Sequence, residues 1–169
     1  MPRALSAPLR HALERQETGA AIIVFLTVTH PELPVTIRVA SDAADYLWGG
    51  ETWRGIPVDV TLVSDGDRPP SARLSMQNVD RRIGEAVRGL SSPPRLRIDL
   101  VSASAFNETA VPRVPLDGEP EAEYSAPHLF LRNVKADDFL EAEIAGWNYV
   151  QEVWPGIRAT QNRLPGLYR

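Results

Sequence analysis

Residues 71–90 read Ser71-Ala-Arg-Leu-Ser-Met-Gln-Asn-Val-Asp-Arg-Arg-Ile-Gly-Glu-Ala-Val-Arg-Gly-Leu90, and two periodicities meet inside them. In the first half Ala72, Leu74 and Met76 alternate with Ser71, Arg73, Ser75 and Gln77, the period of two that marks a strand buried on one face. Beyond Asp80 the period changes. Ile83, Ala86, Val87 and Leu90 recur at helical spacing, with Arg81, Arg82, Glu85 and Arg88 around the other side. Asn78 or Asp80 suits the helix N-cap, and Gly89 before Ser91-Ser92-Pro93-Pro94 supplies the stop. The spacing predicts a strand over 71–77 and a helix near 79–90, with Ile83, Val87 and Leu90 facing a sheet. Strand-like segments flank this stretch on both sides. The fold class that follows is α+β, mainly β: one main helix laid across a β-rich body.

Toward the amino terminus, Val58, Val60 and Leu62 alternate as another strand. Before them, short strands around Asp45–Trp48 and Glu51–Arg54 carry Tyr46, Trp48 and Trp53, and Gly49-Gly50 between them suits a tight hairpin turn. Residues 21–29 are apolar on both faces and rich in β-branched side chains, as in a central strand covered on both sides. His30 to Pro34 is a turn, and Val35, Ile37 and Val39 form the return strand of a hairpin. Residues 5–17 space Leu5, Leu9, Ala12, Leu13 and Gln16 as a short amphipathic helix. Toward the carboxyl terminus, Leu96, Ile98 and Leu100 make a strand with Arg95, Arg97 and Asp99 on its wet face. Residues 105–127, rich in Pro and Glu, read as a long excursion outside the core. His128–Val134 and Phe139–Ile144 form a last strand pair about the turn 135–138. The arm 151–169 is broken by Pro and Gly yet carries Trp154, Leu164, Leu167 and Tyr168, so it is expected to dock on something.

A chain of 169 residues with 43% apolar side chains supports a single domain with extended arms. Its net charge of −4 is spread without a basic stripe, which argues against sequence-specific nucleic-acid binding. There is no cysteine, so disulfides, thiolate metal sites and cysteine nucleophiles are absent. The apolar run from Ala20 to Val28 falls short of the roughly 20 residues of a membrane helix, so no membrane insertion is expected. Met1-Pro2-Arg3 opens no apolar export signal.

The inventory for catalysis is thin. His11, His30 and His128 share no ligand spacing and read as solvated or capping residues. No nucleophile elbow, P-loop or zinc-protease motif occurs. Asp65-Gly66-Asp67 lacks the remaining ligands of a calcium loop and reads as a polar turn. Asp117, Glu119, Glu121 and Glu123 put four carboxylates in one short stretch; a solvated, self-repelling loop accounts for them better than a cation site. Glu141 and Glu143 sit on one strand face roughly 7 Å apart, a separation met in glycosidases, but their alternation with Leu140, Ala142 and Ile144 fits a wet outer face. Tyr46, Trp48 and Trp53 suit either a hairpin packed on a neighbour or an aromatic platform for carbohydrate. The residues imply no enzyme, no cofactor and no metal; the expected partner-contacting residues are Tyr46, Trp48, Trp53, Trp154, Leu164, Leu167 and Tyr168.

Several blocks, in order, resemble a family of small bacteriophage tail proteins. They are Gln16-Glu17-Thr18, Thr29-His30-Pro31 and Ile37-Arg38-Val39; then Gly50, Trp53 and Gly55-Ile56-Pro57; then Pro69-Pro70-Ser71-Ala72-Arg73-Leu74, Asn78-Val79-Asp80 and Pro93-Pro94; and at the close Leu131-Arg132-Asn133-Val134 and Leu164-Pro165-Gly166-Leu167. That family is a domain of unknown function found in the tail modules of long-tailed phages and prophages. The stretch 112–127 departs from its pattern by being longer. The resemblance carries no catalytic residues. It implies an antiparallel, partly closed barrel or sandwich like a tail-tube subunit, with one helix packed outside. It implies a distal-tail or tail-tip hub protein of the virion, assembled in the host cytoplasm. Its partners would be its own copies in a ring, hexameric or, as the alternative, trimeric, together with tail tube, tape-measure and tip proteins. The rival reading is a carbohydrate-binding β-sandwich module using Trp48, Trp53 and Tyr46, and a third is a hydrolase acting through Glu141 and Glu143.

Overall fold

The computed structural model describes residues 10, 14, 21–61, 71–77 and 81–146. Along the chain run β1 (Ile22–Thr29), β2 (Ile37–Ala40), β3 (Tyr46–Trp48), β4 (Glu51–Gly55), β5 (Val58–Val60), β6 (Ser71–Gln77), α1 (Arg81–Arg88), β7 (Arg95–Ser102), β8 (Tyr124–Ala136) and β9 (Phe139–Gly146). Of the expected amino-terminal helix, the two described residues, Arg10 and Glu14, are helical. The arm 151–169 lies outside the described residues, as does the turn holding Asp65 and Asp67.

The strands form one sheet in the order β3-β4-β2-β1-β7-β8-β9-β6-β5. Neighbours are antiparallel except β2 and β4, which run parallel with Val39 opposite Arg54 and Ala40 opposite Gly55. The expected hairpins are present: β1 with β2, Phe25 facing Ala40, and β3 with β4, Tyr46 facing Trp53. Gly49 and Gly50 join the latter with φ of 66° and 71°, the pair of left-handed conformations that a tight hairpin turn requires and only glycine adopts at little cost.

The strand order by itself shows that the sheet is rolled. β4 stands next to one end of the order and β5 is the other end, yet only Ile56 and Pro57 separate them in sequence. Three backbone steps reach roughly 11 Å at most, so the two ends of the sheet must come together. Ile56 continues the pairing with β2, its N–H donating to the Ala40 carbonyl at 3.0 Å. The result is a partly closed barrel: one bent segment begins paired to β2 and finishes paired to β6.

The main core fills this roll. Leu26 and Val28 from β1, Leu74 and Met76 from β6, Leu96 and Ile98 from β7, and Leu140 and Ile144 from β9 all join one buried cluster. Strands far apart in the order share it, as a curled sheet demands. The alternation of 71–77 is borne out, with Ala72, Leu74 and Met76 buried and Arg73 and Gln77 exposed. The helix spans 81–88 and lies against β8. Val87 is buried, Ile83 packs half-buried on the main core, and Leu90 is half-buried just beyond the helix end.

A second core lies on the other side of β1 and β7. Ile23, Phe25 and Val101 point there and are roofed by Tyr46 and Trp53, with Ala103 and Phe106. β1 is therefore covered on both faces, as its composition predicts. Two expectations are corrected. Asp99 is not on a wet face; it is 2% exposed, with Arg97 Nε 2.8 Å from its carboxylate. Residues 105–127 are not wholly outside the core either: Phe106 is buried and Tyr124–Pro127 belong to β8. Between them the chain makes its own small hairpin, Asn107 N–H to Val114 carbonyl at 2.8 Å and Leu116 N–H to Ala105 carbonyl at 2.9 Å. Its return limb runs beside β3, where the Arg113 N–H donates to Asp45 at 2.8 Å and Leu47 N–H to Arg113 at 2.9 Å. The outer edge of β3 is thus occupied by the protein's own backbone.

Candidate functional site

The aromatic residues singled out from sequence converge, but inward. Phe25 is the hub: its ring centre lies 5.5 Å from Tyr46, 4.7 Å from Trp48, 5.0 Å from Trp53 and 5.8 Å from Phe106. Edge-to-face and tilted contacts at such distances are worth about 0.5–1.5 kcal/mol per pair beyond the area they bury. Tyr46 is fully buried and Trp53 nearly so. Each indole N–H has a carbonyl: Trp48 Nε1 donates to Pro120 and Trp53 Nε1 to Trp48, both at 3.0 Å. These faces are used up by one another, leaving Tyr46 and Trp53 little surface for a sugar or a neighbouring subunit. Phe106, a member of the cluster, carries no signal in the sequence, because nothing periodic surrounds it. Trp154, Leu164, Leu167 and Tyr168 lie outside the described residues.

At the rim of the cluster is a polar triad. The Tyr46 hydroxyl donates to Asp42 Oδ2 at 2.5 Å, and Arg113 Nη1 donates to the same Asp42 oxygen at 2.6 Å and to Tyr46 Oη at 2.8 Å. Arg113 also stands 5.6 Å from the Tyr46 ring centre. The triad ties the 106–116 hairpin to the loop before β3. Burial, reinforced by donation to Asp42, pushes the Tyr46 phenol up to about 12. Tyr46 in turn holds the Arg113 guanidinium above its ordinary value. A phenol whose folded-state pKa is raised contributes stability that is fully present below its unfolded pKa of about 10 and is lost as pH rises through the folded value. Tyr46 is expected to ionise near pH 12 in a spectrophotometric titration of the phenolate band. Tyr46→Phe should delete that phase; if the phase survives, the triad does not hold the proton.

The strongest candidate for surface chemistry is a shallow groove of about 480 Å³ on the outer face of β5, β6, β9 and β8. Two rows of cross-strand neighbours form its floor. Asp59, Ser75, Glu141 and Lys135 stand in one, and Arg73 and Glu143 in the other, which Arg132 continues beyond the groove. Glu141 and Glu143 do share a face, as expected from their spacing. Each faces a cation across the sheet, and Glu143 accepts a hydrogen bond from Asn133 Nδ2 at 2.7 Å. Asn133 occupies the irregularity in the β8–β9 pairing with φ of 52°, a left-handed position that asparagine tolerates better than most residues. The groove is a compensated, solvated charge ladder.

His30 comes closest to a nucleophile–base arrangement, its Nε2 lying 2.7 Å from Ser92 Oγ. The Glu32 N–H, however, donates to His30 Nδ1 at 3.1 Å. With Nδ1 accepting, the ring's proton sits on Nε2 and is donated to Ser92, the reverse of what activates a serine. Glu32 meanwhile accepts both the Ser91 hydroxyl and backbone N–H, which holds its carboxyl below the ordinary value. This is a tie between the β1–β2 turn and the segment after α1. Of the acidic stretch, Glu119 accepts the Gly49 N–H across the β3–β4 turn. Among the described residues no group of three or more His, Cys, Asp or Glu is placed to hold a metal ion, and no helix is long and apolar enough to cross a membrane.

A family model described as a domain of unknown function (DUF1833) matches residues 8–110, which span β1 to β7 and reach into the hairpin that follows. No curated protein matches.

Proposed function

We propose, from the premise that the chain belongs to the DUF1833 family, that it is a structural protein of a phage or prophage-derived tail. Its copies form a ring at the distal end that joins the tail tube to the tip or hub. One observation carries the reading. The sequence resemblance implies a tube-like subunit, and the rolled nine-stranded sheet with one helix against it has that kind of architecture. A barrel whose strands are paired to one another is a stiff stave, suited to bearing load in a ring. The chemistry agrees: the aromatic residues serve a core, and the outer groove is a charge ladder.

The reading is tested by the mass of the recombinant protein in solution, by negative-stain imaging, and by gold-labelled antibody on intact tails. It expects a closed ring, hexameric rather than trimeric, and label at the distal end of the tail. A monomer that binds glycans would favour the carbohydrate module instead. Label scattered along the tail as an isolated decoration would overturn the ring.

A further inference from the structure

The sheet ends differently at its two edges. At one end the outer edge of β3 is taken up by the protein's own backbone at Arg113. At the other stands β5, with β6 on one side and, among the described residues, no backbone partner on the other. Its register fixes which groups face that open side. Asp59 lies opposite Ser75, and the Thr61 N–H donates to the Arg73 carbonyl at 3.1 Å. Successive residues of an antiparallel pair turn their backbone groups to opposite sides. Asp59 and Thr61 therefore spend theirs on β6, and the N–H and C=O of Val58 and Val60 point outward. The side chains alternate too: Val58 and Val60 pack half-buried on the main core, whereas Asp59 and Thr61 are exposed.

An unpaired edge is a template for another strand. Copies cannot join β5 to β3, because β3 has no edge to offer. What a second copy has left is β5 itself, run antiparallel about a two-fold axis, and the side chains choose the register. Centred on Asp59, the pairing would set two carboxylates directly opposite one another, which is destabilising. Centred on Val60, it sets each Asp59 opposite the Thr61 hydroxyl of the other copy, and the two carboxylates fall on a diagonal. The row then runs Arg73, Thr61 and Asp59 of the other copy, so a cation stands two strands from each carboxylate. We propose that two copies of this protein associate through β5, paired antiparallel about Val60, whose outward N–H and C=O bond to their counterparts. The contact is isologous, the same surface on both copies. It joins copies two by two and closes no ring by itself, so it goes beyond the ring reading and stands apart from it.

The chain has no cysteine, so introduced thiols report the register. Residues opposite one another in a non-hydrogen-bonded antiparallel pair have Cα atoms about 4.5 Å apart, within disulfide reach. Mixed under mild oxidation, full-length Asp59→Cys and Thr61→Cys chains should give a disulfide-linked heterodimer. Either variant alone should give little, since its own thiols meet only on the diagonal. Sedimentation equilibrium supplies the second arm, each variant first verified as folded by circular dichroism. Thr61→Asp sets carboxylates opposite one another and should weaken pairing by about 10-fold or more, while Asp59→Thr/Thr61→Asp exchanges the two positions and should restore it. No mixed disulfide, or pairing indifferent to Thr61→Asp, would overturn the β5 contact and leave the ring reading standing. Pairs of chains that obey the exchange but never form rings would overturn the ring reading and keep this contact. A natural chain that is monomeric at every concentration would overturn both, and leave the edge of β5 to a strand from another protein.

Discussion

Replacing Phe25 with alanine is expected to cost about 3–5 kcal/mol, the loss found when a buried aromatic is truncated to a methyl group. Phe25 is fully buried and contacts four other aromatic rings. Those rings arrive on separate segments: β3 and β4 carry Tyr46, Trp48 and Trp53, and Phe106 follows β7. None can slide far into the vacancy without giving up its own hydrogen bond or strand pairing, so the cavity relaxes poorly. Against a typical total stability of about 5–15 kcal/mol, the variant would be marginal. Equilibrium urea unfolding measures the difference, with Phe25→Leu as a milder companion. A cost under about 1 kcal/mol for the alanine variant would mean that the second core contributes little and that β3, β4 and the 106–116 hairpin are held by backbone pairing alone.

The second large effect concerns Gly55, the last residue of β4 before the join to β5. A Cβ placed there would lie 2.3 Å from the Ala44 carbonyl oxygen, 2.5 Å from its carbon and 2.8 Å from the Ala44 nitrogen. All three atoms are backbone, so no side-chain rotation relieves the clash. The Gly55 N–H also donates to Asp45 Oδ1 at 2.8 Å, which pins the two segments together. Gly55→Ala should therefore reach or exceed the upper end of the about 1–3 kcal/mol range for overpacking. It should also loosen β5, seen as faster amide exchange at Thr61, just beyond β5, whose N–H donates to the Arg73 carbonyl at 3.1 Å. Gly50→Ala is the control: its φ is +71° but nothing lies within 4 Å of the added carbon, so only local backbone strain is incurred. Should Gly55→Ala prove no more costly than Gly50→Ala, the close passage of β4 past Ala44 is not what fixes the bend.

Much of this fold was legible because its signals are local. Strand β6 and helix α1 sit side by side in sequence with different periods, and Gly49-Gly50 marks its turn by chemistry alone. The apolar run of β1 announced burial on two faces, although not by what. What sequence could not show is pairing between distant segments. Nothing in Val39 or Arg54 signals that β2 and β4 run parallel, and no pattern around Phe106 marks it as core. Asp99 reads as the wet member of an alternating strand because its neighbours alternate; its burial comes from layers brought in by the rest of the chain. The aromatic trio stands out in the sequence, but whether its rings point in or out depends on what Phe25 offers them. The spacing of Glu141 and Glu143 puts them on one face, whereas the asparagine that engages Glu143 comes from an irregularity in β8 that spacing does not reveal.

The strand order carries a consequence in time. β1 lies between β2, its immediate successor, and β7, which is made only after five strands and a helix. The join between β4 and β5 cannot settle until β6, β9 and β8 have linked back to β7. Closing such long loops must precede any reward from the contacts they permit, so a chain of this topology folds toward the slow end, on the order of milliseconds to seconds. Until then the flank of β1 that β7 will occupy is an open hydrogen-bonding edge rich in Ile and Val, the kind of surface on which unfinished chains capture one another. Crowded synthesis of many copies is therefore the condition under which this protein most depends on finishing each sheet before its neighbours arrive.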